Sequence, residues 1–148
     1  MNQDSLHVLL IEDNDDDIFL MRRAVKRSSV PWSMSVVTDG QAALDFFSGA
    51  GQYTDRDRFP LPALVFLDLK LPYVSGFDVL AAMQSQERVK EIPVIVLTSS
   101  PEERDQRRVL ELGAKAYLIK PPTEELMRKV AGGDWIGLGQ TNLTRGFH

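Results

Sequence analysis

Cysteine is absent from the 148 residues, which removes disulfides and thiolate metal sites. Histidine occurs twice, at His7 and His148, and the two offer no metal-binding pair. No apolar run approaches the roughly 18 residues that a membrane-spanning helix needs. The stretch from Met1 to His7 is polar, without the basic-then-apolar form of a signal peptide. A formal charge of −4 argues against broad electrostatic attraction to nucleic acid or an anionic membrane. Nothing beyond Val130 is long or basic enough for a helix-turn-helix, and no G-x-x-x-x-G-K phosphate loop is present. These absences lead us to expect one cytoplasmic domain, without nucleic-acid or membrane binding, that acts through protein contacts.

What the chain does have is five short apolar runs rich in branched side chains: His7–Ile11, Met34–Thr38, Ala63–Asp68, Pro93–Thr98 and Ala116–Ile119. Leu64-Val65-Phe66-Leu67 and Val94-Ile95-Val96-Leu97 do not alternate with polar residues, as strands covered on both faces require. Segments with helical spacing lie between and after them. Ile18, Met21 and Val25 form one apolar stripe, widened by Leu20 and Ala24. Ala43, Leu44 and Phe47 mark a second helix that meets a stop at Gly49, and Phe77, Leu80 and Ala81 mark a third after Ser75-Gly76. For the fourth, Ser100 is the expected cap, Pro101 the first helical residue and Glu103 the partner in a capping box. A fifth follows Thr123, with Glu124 and Glu125 at its positive end.

Five β-α alternations predict an α/β fold: a parallel sheet with right-handed crossovers and helices on its faces. Gly49 to Pro62 reads as a polar surface loop, and the glycine-rich stretch from Ala131 as a weak helix extension or docking segment. The expected division is a domain over 1–131 and a tail over 132–148, with no separate output domain.

Ligands in such sheets bind beyond the carboxyl ends of the strands. There the sequence places Glu12-Asp13, Asp68, Thr98-Ser99 and Lys120. Taken singly, each has an ordinary explanation, as a helix start, turn residue, loop cap or surface ammonium. Together they suit phosphoryl transfer to a carboxylate. Asp68 is the candidate nucleophile, ionised at neutral pH. Glu12, Asp13 and Asp68, with the backbone carbonyl of Lys70, offer hard oxygens to Mg²⁺ or Mn²⁺. Lys120 can hold charge on the far side, and the Thr98 hydroxyl can donate to a phosphoryl oxygen.

Four blocks carry a resemblance: Ile11-Glu12-Asp13-Asn14, Leu67-Asp68-Leu69-Lys70-Leu71-Pro72 followed by Gly76, Leu97-Thr98-Ser99, and Tyr117-Leu118-Ile119-Lys120-Pro121. In order and spacing the chain resembles the receiver domains of bacterial two-component response regulators, over about Leu6 to Val130. The resemblance implies a flavodoxin-like five-stranded fold, Asp68 as phosphoacceptor, Glu12 and Asp13 at the metal, and Thr98 and Lys120 on the phosphoryl group. It also implies a switching role for Tyr117 and a cis Lys120–Pro121 bond. The expected partners are a sensor histidine kinase and a downstream protein. A homodimer through the fourth helix, fifth strand and fifth helix is a further expectation.

The long second connection with Gly51-Gln52-Tyr53, and a tryptophan-bearing tail, resemble single-domain regulators paired with bacterial phytochromes. Pro122 departs from the family, which often has an aromatic residue there. Two other functions fit the residues less well. An aspartyl phosphatase of the haloacid dehalogenase type wants a second Asp where Lys70 stands. A phosphate-independent interaction domain would have no use for the acidic pair or Lys120.

Overall fold

The computed structural model describes residues 5–99 and 102–133. Its strands are β1 (Leu6–Ile11), β2 (Trp32–Val37), β3 (Leu64–Leu67), β4 (Val94–Thr98) and β5 (Ala116–Ile119). The helices are α1 (Asp15–Ser28), α2 (Gly40–Ser48), α3 (Gly76–Gln84), α4 (Glu103–Glu111) and α5 (Glu124–Ala131). All strands pair in parallel in the order β2-β1-β3-β4-β5, which is the flavodoxin-like order.

Burial follows the sequence pattern. Every residue of β3 and β4 is buried, as their unbroken apolar runs require, whereas β2 is mostly intermediate and takes an edge. Two-residue periodicity divides the core into two layers. Leu9, Ile11, Val65, Leu67 and Val96 face one way and meet α2, α3 and α4 through Phe46, Leu80 and Val109. Val8, Leu10, Phe66, Ile95 and Leu118 face the other way, against Met21 and Val25 of α1 and Met127 of α5.

Side-chain oxygens cap four of the helices. Asn14 accepts from Asp17 N–H at 2.9 Å, Asp39 from Ala42 at 2.7 Å, Ser75 from Asp78 at 3.2 Å and Thr123 from Leu126 at 3.1 Å. The Thr123 cap gives α5 a defined start despite Pro122. At Gly49, α2 ends in the left-handed region (φ 75°), which glycine enters without a Cβ clash.

Three sequence expectations need correction. First, β2 begins at Trp32 rather than Met34: the exposed Ser33 interrupts the apolar pattern, while the Trp32 ring packs 5.7 Å from Phe66. Second, α4 begins at Glu103, with Glu102 in the cap position making no side-chain cap bond. Glu103 is therefore the first helical residue, not the third of a capping box, and the expected cap Ser100 and Pro101 lie outside the described residues. Third, the 49–62 connection is more than a polar loop. It holds a 3₁₀ turn at Gly51–Thr54, and Arg56 donates to the carbonyls of Phe59 (3.2 Å) and Phe47 (3.1 Å). Phe46, Tyr53 and Phe59 form an aromatic series with centroids 5.0 and 5.1 Å apart. Residues 134–148, which hold most of the expected tail, lie outside the described residues.

Gly76 fixes how closely α3 approaches the end of β3. A Cβ there would overlap the backbone carbonyl of Asp68 and stand 2.6 Å from Leu69 Cα. Neither atom belongs to a side chain that can rotate away. Gly76→Ala is expected to cost about 3 kcal/mol, the upper end for overpacking, measured by urea denaturation. A loss below about 0.5 kcal/mol would show that the backbone yields there.

Candidate functional site

Parallel pairing brings the carboxyl ends of the strands to one edge, and backbone bonds continue past the strands to fix the residues that follow. Glu12 N–H donates to Val37 O and Asp68 N–H to Ile11 O, both at 3.0 Å. Lys120 N–H donates to Thr98 O at 2.8 Å. Glu12, Asp68 and Lys120 are thus held against neighbouring strands before any side-chain contact is made.

Oxygens of Glu12, Asp13 and Asp68 lie within 4.8 Å of one another, a spacing that a single metal ion can bridge. Glu12 and Asp68 are buried and Asp13 is exposed. Lys120 Nζ stands 2.6 Å from Glu12 Oε1, 2.7 Å from Asp17 Oδ2 and 3.4 Å from Asp68 Oδ2. The Lys70 N–H approaches Asp68 Oδ1 at 3.4 Å, so the loop beyond β3 turns back toward the carboxylate. Thr98 ends β4, fully buried and joined to Lys120 through the backbone. Tyr117 is also fully buried, in the core layer beneath α2, α3 and α4. The Lys120–Pro121 bond is cis.

Sequence reasoning missed Asp17, which it took as one of several acids at a helix start. The available signal was the run itself, with five carboxylates in the six positions from Glu12 to Asp17. Capped by Asn14, α1 starts immediately beyond β1, and the Asp17 carboxylate reaches Lys120 from its first turn.

Three carboxylates therefore crowd around one ammonium, with Asp13 beside two of them. Burial, the largest influence, pushes the Glu12 carboxyl up to about 7; the Lys120 hydrogen bond opposes this and the charge of Asp68 adds to it. Burial also works against the Lys120 charge, but hydrogen bonds to Asp17 and Glu12 and the charge of Asp68 outweigh it and raise the ammonium above its ordinary value. Lys120 stays protonated throughout the neutral range.

Residues 8–131 match the response regulator receiver domain family. The chain belongs to that family. Among relatives of this receiver is a probable methanogenesis regulatory protein, FilR2 of Methanothrix harundinacea. It is 39% identical, with 86% of this chain and 81% of FilR2 aligned. Response regulator Rcp1 of Synechocystis is 36% identical over 84% of each chain. The crystal structure of its Mn²⁺-bound form superposes with a TM-score of 0.71 over 86% of this receiver and 90% of Rcp1. The phosphorylated cyanobacterial phytochrome response regulator RcpA is 32% identical, with a TM-score of 0.74 over 87% of this receiver and 90% of RcpA. Among the described residues, no helix is long and apolar enough to cross a membrane.

The raised Glu12 carboxyl links the receiver's stability to pH. Its ordinary value is 4.5, so between 4.5 and about 7 the folded chain holds the proton more tightly than the unfolded chain. Its contribution to folding is therefore greatest at low pH and is lost as pH rises through about 7. Glu12→Gln, which has no proton to lose, should gain stability relative to the parent as pH rises from about 5 to about 8. Urea denaturation in metal-free buffer reads this difference. Parallel stability curves for the two proteins would contradict the assignment.

Proposed function

We propose that this receiver is a phosphoacceptor switch: Asp68 takes a phosphoryl group from a histidine kinase, and the surface around α4, β5 and α5 changes for a partner. One observation carries the reading. Asp68 is only 6% exposed, yet its carboxylate shares one pocket with two further carboxylates and the Lys120 ammonium. A fold does not need such a group for stability, and nucleophilic transfer to a carboxylate does.

In the proposed step an Asp68 oxygen attacks phosphorus as the P–N bond of the donor phosphohistidine breaks, and the imidazole leaves with the bond's electron pair. The product is an acyl phosphate on Asp68. Glu12, Asp13 and Asp68, with the Lys70 backbone carbonyl, would hold Mg²⁺ or Mn²⁺, which supplies positive charge against the incoming phosphoryl oxygens. The close carboxylate oxygens suit that ion chemically, and the Mn²⁺-bound form of Rcp1 supports the same choice. Lys120 holds charge on a phosphoryl oxygen, and the Thr98 hydroxyl donates to another. Movement of Thr98 then couples to Tyr117. A gap of only a few kcal/mol between the two states lets phosphorylation invert their populations.

The outer faces of α4 and α5 are rich in charge, with the exposed pair Arg128–Glu124 at 3.6 Å and the partly exposed pair Arg107–Glu103 at 3.0 Å. Such pairs contribute little to stability, so their exchange for contacts with a target or a second copy is inexpensive. Likeness to RcpA, a cyanobacterial phytochrome response regulator, favours a bacterial phytochrome kinase as donor. In this reading the receiver unit spans 1–131 with a tail over 132–148, and it acts in the cytoplasm. A phosphatase reading is disfavoured by Lys70 at the position where a general acid would stand.

Asp68→Asn should abolish labelling by acetyl phosphate in the presence of Mg²⁺, followed by intact-protein mass spectrometry. Persistent labelling of the variant would remove Asp68 from the reaction. Calorimetric titration should detect Mg²⁺ binding on the order of millimolar, weakened at least about tenfold by Asp13→Asn as one hard oxygen ligand is lost. No heat of binding in the parent would favour an interaction domain independent of phosphate.

A further inference from the structure

The phosphoacceptor reading leaves Asp17 without a task. Its carboxylate nevertheless makes one of the two short contacts to Lys120, at 2.7 Å, while Asp68 stands farther off at 3.4 Å. The other short contact is Glu12. Glu12 has a competing use in the acidic cluster suited to a metal ion, and Asp17 is not part of that cluster. The position of Asp17 is also well defined, because its own N–H is held by the Asn14 side chain at 2.9 Å.

We propose that Asp17 is a positioning residue that parks the Lys120 ammonium toward α1, so that release from Asp17 governs how readily Lys120 reaches a phosphoryl oxygen on Asp68. The inference rests on Asp68 being the phosphoacceptor. Lys120 rests closer to Glu12 and Asp17 than to Asp68, so its resting place is drawn away from the acceptor. A phosphoryl group on Asp68 carries more negative charge than the carboxylate it replaces and competes for the same ammonium. The Asp17 side chain is 31% exposed, against 11% for Lys120. Water therefore moderates the pair, and the hold is strong enough to bias Lys120 but weak enough to yield.

The test compares the parent, Asp17→Asn and Asp17→Glu, with fluoroberyllate and Mg²⁺ as a non-transferable phosphoryl mimic. Removal of the competing charge should tighten mimic binding about twofold to fivefold in Asp17→Asn. Asp17→Glu keeps the carboxylate and should stay near the parent. Equal binding by Asp17→Asn overturns the proposal, and weaker binding overturns it too, since Asp17 would then be presenting Lys120 rather than withholding it.

The parked contact is read separately in ligand-free protein by the ¹⁵N resonance of the Lys120 ammonium. That signal should change in Asp17→Asn and be restored in Asp17→Glu. An unchanged signal sinks the proposal whatever the mimic does. If the signal responds as expected but the parent binds no mimic, the phosphoacceptor reading is what has failed, and the release step falls with it.

Discussion

Unslipped parallel pairing between β1 and β3 is the constraint on which the site depends. The Asp68 N–H bonds to the Ile11 carbonyl at the point where both strands end. A shift of one residue would turn the acidic side chains to the opposite face, because side chains alternate along a strand. The register is secured by apolar residues that contribute no chemistry. Leu9 and Ile11 pair beside Val65 and Leu67 and share a core layer with Phe46 and Leu80. Packing in the middle of the sheet thus determines electrostatics at its end.

The electrostatics are unbalanced by construction. Glu12, Asp17 and Asp68 surround Lys120, Asp13 adds a further carboxylate beside Glu12 and Asp68, and burial already makes Glu12 reluctant to ionise. A stable core would avoid this arrangement, since close like charges disfavour one another and buried ones lose hydration. The imbalance makes the pocket receptive to added positive charge. It also keeps the one ammonium under competition between neighbours, so small changes at the rim alter where it rests.

Much of this was legible in the sequence, for identifiable reasons. The unbroken runs of β3 and β4 admit little but buried parallel strands, and the residues following each run then fall on a single edge. Ser75 and Thr123, which stand just before the third and fifth helical patterns in the sequence, do cap those helices through their side-chain oxygens. Three features were not legible. Ser33 hid the start of β2, because an edge strand tolerates an exposed polar residue between two half-buried ones. The cap expected for α4 relied on local preference, which tertiary placement overrode. Asp17 was obscured by its neighbours: five acids in a row of six look alike in one dimension, and only the folded placement of the first turn of α1 singles out the one that reaches Lys120.

The Arg56 anchor leads to a practical consequence. Arg56 ties the second connection to the last turn of α2 and to Phe59, on the approach to β3, at the amino end of the sheet. The acidic pocket lies at the opposite end. A Cβ at Gly51 would meet nothing within 4 Å, so the tip of this connection faces open space. A dye or surface tether attached near that tip would report on the molecule from a place where it does not crowd the acidic pocket.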